Sequence, residues 1–174
     1  MTGDARGGER ILGTLRSDEG KGAVRIEDRL DAQVDEVWST LTNPRRLADW
    51  LGAVEGDLRP GGEFRARFLA SGWEGTGRVE ECEPSRRLLV STKDADAPDG
   101  PYDHAIEVTL EADGDRTAVV WEERGIPLDL VAAYGAGVQV HVEDLGAYLG
   151  GRGRCDAAAR FGELFPAYQA LAVG

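Results

Sequence analysis

His104 and His141 are the only two histidines in the chain, and so the only side chains whose ordinary pKa lies between pH 5 and 8. His104 opens the run HAIEVTL, where it alternates with Ile106, Val108 and Leu110 on one strand face. His141 sits in YGAGVQVHVEDLGAYLGG, on or beside an apolar stripe with helical spacing. If both line one cavity, they serve as polar contacts that orient a bound molecule. Singly, a histidine in such a setting is more often a satisfied core or rim residue than a catalytic base. Tyr134, at the start of the same helical stretch, offers a hydroxyl that would point into such a cavity or into solvent. Asp28 interrupts the apolar alternation of Val24, Ile26 and Leu30. Buried and unpaired, its charge would be costly, so a strand end in solvent or a bond to backbone is the simpler expectation.

Other chemistry is sparse. Cys82 and Cys155 lie far apart and in no metal-ligand spacing. Cys82 is set among acids in VEECEP, which would raise its pKa and dull it as a nucleophile. No nucleophile elbow, Walker loop, dinucleotide fingerprint or HExxH motif is present. DADAPD lacks EF-hand spacing and reads as a solvated loop. Accordingly no catalytic residue, metal or cofactor is expected. Acidic residues number 32 against 20 basic, a net charge of −12. That balance disfavours nucleic acid and anionic membrane surfaces, which need a cationic face. The start MTGDARGGER has no apolar signal core and no run of 18 apolar residues follows, so a cytoplasmic protein with reduced thiols is expected.

These groups must be positioned by a regular scaffold. The 174 residues suggest one domain, with residues 1–10 disordered. Ile11–Arg16 and Gly22–Leu30 read as strands flanking the turn SDEGKG. Val34, Val37, Trp38 and Leu41 recur at helical steps, and Asn43 with Pro44 starts a second short helix carrying Leu47, Trp50 and Leu51. Period-two alternation then predicts strands at 54–58, 63–69, 73–83, 87–92, 104–111 and 117–123, joined by short turns as in an antiparallel meander. In 117–123, Val119 with Trp121 and Ala118 with Val120 offer opposite apolar faces. A long helix from about Pro127 to Gly150 and another from Cys155 to Leu171 close the chain, Pro166 marking a kink or break.

The long helix poses a question. Val131, Tyr134, Val138, His141, Val142, Leu145 and Leu149 form one apolar stripe, yet Gly135, Gly137 and Gly146 each cost about 1 kcal/mol relative to Ala. Glycine on a buried face admits a close neighbour or leaves a void. Gly75 and Gly77 alternate with Trp73 and Val79 on a strand face, and Phe64, Ala66 and Phe68 share another. Small residues on facing surfaces fill a core poorly and could hollow one out. Trp38 reads as core; Trp50, Trp73 and Trp121 are better pocket positions. The loop Lys93–Asp103 is a plausible lid.

The motifs IEDRLDAQVDEVWSTLTNPRRLADWLG, LRPGGEFRARF, GWEGTGRVEECEPSRRLLVST and VWEERGIP resemble the START-like superfamily, also called SRPBCC or birch-pollen-allergen-like. Within it, they are similar to the branch named after the activator of the heat-shock-protein 90 ATPase, over about Gly22–Leu149. The resemblance implies an α+β helix-grip fold: a curved antiparallel sheet wrapped around a long C-terminal helix, with two short helices after the first long strand. It also implies an apolar cavity between sheet and helix. Ile11–Arg16 and the helix in 152–174 are additions, the latter placed to cap the cavity mouth or to cover the sheet edge. Val138 stands where many relatives carry Trp, which leaves room.

The expected function is therefore non-enzymatic binding of a small hydrophobic or amphipathic molecule, lipid-like or polyketide-like. The expected wall is Trp50, Phe64, Phe68, Trp73, Gly75, Gly77, His104, Ile106, Val108, Trp121, Tyr134, Gly135, Val138, His141 and Val142. Two alternatives stand beside it. One is a polyketide cyclase or aromatase, with His104, His141, Tyr134 or Asp28 moving protons. The other is a co-chaperone domain acting on a heat-shock-protein 90 ATPase. A monomer or homodimer suits all three.

Overall fold

A computed structural model describes residues 10–174; the segment expected to be disordered lies, but for Arg10, outside the described residues. Strand β1 (Gly13–Asp18) and strand β2 (Lys21–Leu30) form a hairpin. Its two-residue turn is Glu19–Gly20, both at positive φ, the geometry whose twist matches the flanking strands. The turn begins later than SDEGKG suggested, which moves β1 two residues toward the C-terminus.

Helix α1 (Val34–Thr42) and helix α2 (Pro44–Trp50) follow. Asn43 ends the first and caps the second, its side chain accepting from the Arg45 N–H at 3.0 Å. The meander then runs β3 (Gly52–Gly56), β4 (Glu63–Phe68), β5 (Glu74–Glu83), β6 (Arg87–Asp94), β7 (His104–Asp113) and β8 (Arg116–Pro127). All eight strands pair antiparallel in one open, curved sheet, in the order β1-β2-β8-β7-β6-β5-β4-β3. Closing the hairpin onto β8 makes β8 a central strand, longer than the alternation suggested. The ambiguity of its faces resolves there. Thr117, Val119, Trp121 and Glu123 are buried inward, while Ala118 and Val120 are half-buried on the convex side. Asp28 lies opposite Val119 near the end of β2, half-buried, accepting from its neighbour's Arg29 N–H and from Arg10. The simpler expectation for it holds.

A 3-10 turn, Leu128–Leu130, leads into helix α3 (Val131–Leu149). This helix is not amphipathic with a single buried stripe. Gly135, Ala136, Gln139, Val140 and Asp144 are buried as well as Val138, Val142 and Leu145, because the sheet covers one side and helix α4 (Ala157–Gln169) the other. Gln139 shows how a polar side chain survives there. Its amide donates to the Arg10 carbonyl and to Glu143, and its oxygen accepts from the Leu12 N–H and the Tyr168 hydroxyl at 2.6 Å. Arg160 on α4 clamps Glu143 on α3 with two hydrogen bonds, at 2.7 and 2.8 Å. Helix α4 is capped by Asp156 and continues past Pro166 to Gln169. Beyond it, Gly174 pairs with the backbone of Leu15 and Ser17, so the chain end occupies part of the β1 edge.

Gly135 is a close-approach glycine, not a void. A Cβ built there would fall 2.5 Å from Tyr168 Cδ1 and 3.2 Å from Leu15 Cδ2. Helix α4 can therefore lay the fully buried Tyr168 ring directly on the α3 backbone. Replacing Gly135 by Leu is expected to destabilise the protein by about 1–3 kcal/mol through overpacking, despite the gain in helix propensity. Urea denaturation of the parent and variant measures it.

Candidate functional site

The remaining space between sheet and helix is one cavity of about 870 Å³, open at the end where β6, β7 and the start of α4 meet. Its size falls in the range typical of small-molecule pockets. Seven of the residues expected in the wall line it: Phe68, Trp73, His104, Ile106, Tyr134, Val138 and His141. Strands β4 and β7 supply Phe68, His104 and Ile106, the turn before β5 supplies Trp73, and α3 supplies the rest. Phe68 packs against Trp73 at 4.9 Å between ring centroids and meets His141 edge-on at 5.2 Å, joining the far strands to the helix.

The other eight do not reach the cavity. Trp50, Val108, Trp121 and Val142 belong to the closed core behind it, fully buried, with Trp50 edge-on to Trp121. The Trp50 indole donates to the Thr40 carbonyl at 3.0 Å, which ties α2 to α1 instead of facing a ligand. Phe64 sits in a second, smaller core with Ala66 and Val79. Its ring covers Gly77, and the Trp73 ring covers Gly75. The glycines of β5 thus seat aromatic rings and hollow nothing out, and Gly135 seats Tyr168. The cavity glycine is Gly137, one turn face away: a Cβ there would meet nothing within 4 Å.

At the buried end of the wall, His104 Nε2 lies 2.7 Å from Glu123 Oε1. The other Glu123 oxygen accepts from the Trp121 indole at 2.9 Å. Glu123 was not anticipated, although its place two residues after Trp121 on the inward face of VWEERG signals it. Burial alone would raise the Glu123 carboxyl. The His104 hydrogen bond and charge, and then Trp121, outweigh it and hold the carboxyl below its ordinary value. Burial likewise opposes the charged His104, but Glu123, with Asp94 and Asp103, raises its pKa above the ordinary imidazole value. Both shifts favour the charged forms of the pair. His141 behaves oppositely: burial pushes its pKa down despite Glu123 and Asp144, and it stays neutral. Its ring stacks on Trp121 at 6.3 Å, and its Nδ1 is buried without a hydrogen-bond partner among the described residues. Tyr134 flanks His104 at 5.5 Å between rings, its hydroxyl pKa raised by burial and by the charges of Asp94 and Glu123.

The rim is built from the β6–β7 connection and α4. Ala97, Gly100 and Pro101 line the mouth, and the Lys93 ammonium bonds the Pro98 carbonyl at 2.8 Å. Lys93 and Arg78 both sit over the Tyr102 ring, at 4.5 and 4.8 Å. Ala157, Ala158 and Phe161 line the other side, so the start of α4 stands at the mouth. Cys82 is raised by burial, not by the neighbouring acids. Cys155 is pushed up to about 11 by burial and Asp144. Among the described residues there is no cluster of metal-ligating side chains and no helix long and apolar enough to cross a membrane.

Residues 31–150 match the family described as Activator of Hsp90 ATPase homolog 1-like protein. The chain belongs to this family. Its START-like helix-grip fold is shared with CalU16 from Micromonospora echinospora, whose crystal structure is 30% identical at a TM-score of 0.74, over 91% of this chain and 94% of that one. DynU16, of the dynemicin biosynthetic locus, is 29% identical at a TM-score of 0.67, over 77% of this chain and 50% of that one. The Aha1 dimer from Colwellia psychrerythraea shares the fold at 16% identity and a TM-score of 0.62, over 73% and 95% of the two chains. None of the curated proteins matches. In this member of the Activator of Hsp90 ATPase homolog 1-like family, His104 and Glu123 form a close pair in the apolar wall.

The pair has a pH signature. Glu123, depressed in the fold, stabilises it above about pH 4.3 and loses that contribution as pH falls through its folded pKa. His104, raised in the fold, contributes fully below about pH 6.5 and loses it as pH rises through its folded pKa. Relative to the double variant His104→Gln, Glu123→Gln, the parent's extra stability should be greatest between about pH 4.3 and 6.5 and shrink on both sides. Denaturant midpoints of the two proteins across pH 4–9 measure it; a difference that grows steadily above about pH 7 would contradict the ion pair.

Proposed function

We propose that this chain binds a small apolar or amphipathic molecule, polyketide-like or lipid-like, in the cavity and does not transform it. The observation that carries the reading is the cavity itself: about 870 Å³, walled by Phe68, Trp73, Ile106 and Val138 around a few convergent polar groups. Gly137 keeps that space open on the helix side, since a Cβ there would meet nothing within 4 Å. The likeness to DynU16, a protein of a biosynthetic locus, favours a polyketide-like natural product over a common lipid. Non-enzymatic binding is favoured by the state of the buried acid, since both Glu123 oxygens are already engaged by His104 and Trp121. A cyclase acting on a poly-carbonyl substrate is the second reading. It draws on the juxtaposition of His104 and Tyr134 in one wall.

Trp73 stands in the wall, so an apolar aromatic ligand is expected to bind saturably and quench tryptophan emission. Gly137→Leu should abolish that quenching while thermal stability holds or rises, because the side chain enters open space and the glycine penalty of about 1 kcal/mol is removed. Mass spectrometry of the recovered ligand separates the two readings: an unchanged mass and structure support binding, a cyclised product the enzyme. No saturable quenching across fatty acids, sterols and aromatic polyketides would refute both.

A further inference from the structure

The polar groups of the cavity wall are unevenly satisfied, and the imbalance describes the molecule that would complete it. The buried acid of the wall is closed: Glu123 Oε1 receives His104 and Glu123 Oε2 receives Trp121. Buried or half-buried donors are open. With Nε2 committed to Glu123, the protonated His104 ring keeps a second N–H at Nδ1, bonded to no group among the described residues. The Tyr134 hydroxyl, on the neighbouring ring 5.5 Å away, is likewise bonded to no other described residue. Both rings line the cavity. Nor is the site short of charge. Lys21, Lys93 and His104 bring positive charge to the lining, and Asp94, Asp103 and Glu123 bring negative charge, so the two signs balance. His141, facing the same space from α3, is neutral.

We infer that the His104 Nδ1–H and the Tyr134 hydroxyl form a two-donor clamp for a carbonyl oxygen, so that the cavity selects neutral aromatic ketones or quinones. Phe68, Trp73, Ile106 and Val138 take the apolar body. The reasoning is one of complementarity. An apolar molecule without an acceptor would cover two donors and leave them unpaired, a loss comparable to leaving a hydrogen bond unmade. A carboxylate would meet the donors but add an uncompensated charge to a balanced cavity. A ketone oxygen does neither. Glu123 acts as a positioning residue: it holds His104 charged and fixes which nitrogen faces the ligand. Asp94 serves the rim, its Oδ1 accepting from the Trp73 indole at 2.7 Å and so fixing the ring against which the apolar body would lie.

The inference rests on the cavity being a binding site, and the test distinguishes failure of the two. Three probes of one size, 2-acetylnaphthalene, 2-ethylnaphthalene and 2-naphthoate, are titrated into the full chain at pH 6.5, followed by tryptophan quenching. The ketone should bind about tenfold tighter than the ethyl compound, the factor that one charge-assisted hydrogen bond supplies, and tighter than the acid. Tyr134→Phe and the double variant His104→Phe, Glu123→Gln each delete one donor, so each should narrow that ratio. The carbonyl stretch of the bound ketone should shift to lower wavenumber in the parent and return toward its free value in the double variant, a readout that packing alone would not move. Equal affinities for ketone and ethyl compound would overturn the clamp and leave the binding cavity standing. Preference for the acid would overturn it in favour of an anion site. Binding of none of the three would overturn the cavity reading and the clamp with it.

Discussion

Helix α3 has to be buried on two sides at once, and most of the architecture answers that constraint. A nineteen-residue helix with its apolar residues on more than one face cannot rest on a sheet alone without leaving the other side in water. The curved sheet takes the face of Val138, Val142 and Leu145; α4 takes the face of Gly135, Gln139 and Glu143. Tyr168 is the contact through which the second layer is fitted. Its ring needs the missing side chain of Gly135, and its hydroxyl needs the Gln139 oxygen. Because α4 must lie there, its first turn falls over the mouth of the cavity. A packing requirement on one side of α3 thus becomes a gate on the other.

The cavity exists because the sheet is too wide and too curved for α3 to fill. The hairpin side, β2 and β8, closes tightly on the helix through Val24, Ile26 and Trp121. Toward β4 and β5 the sheet recedes, and only the edge of Phe68 reaches across to His141 on the helix. Aromatic rings there are seated on Gly75 and Gly77, which settles them against the sheet and away from the helix. Gly137 then leaves the helix side bare. Small residues therefore do two different jobs in this protein, and only one of them makes space.

An ion pair in such a wall needs its own support. Burial disfavours both His104 and Glu123 as charged groups, and each is held charged chiefly by the other. Trp121 supplies the third contact, from a ring that also stacks on His141 and meets Trp50 edge-on. The tryptophan that seemed a candidate for touching ligand instead orients the acid that orients the histidine. Electrostatics in the site and packing in the core are linked through one residue.

Much of this was legible in the chain before any tertiary contact was considered. Period-two runs, the Asn43–Pro44 cap and the turn chemistry specify an antiparallel meander after two short helices, because those are local properties of backbone and solvent exposure. The motifs carried the helix-grip fold with them. His104, Tyr134 and His141 could be picked out as polar residues on apolar faces. Local pattern could not say what lies across from a face. Gly135 and Gly137 are two residues apart in one helix and look alike in sequence, yet one touches a tyrosine thirty-odd positions away and the other touches nothing. Trp50, Val108, Trp121 and Val142 have the same apolar character as Phe68 and Ile106, and only sheet curvature decides which of them face the cavity. Glu123 reads as one acid among many until β2 and β7 close on either side of β8 and bury it against His104. Identity and periodicity are properties of short segments; a cavity, and the charge state of the groups in its wall, depend on distances between segments that only the folded chain brings together.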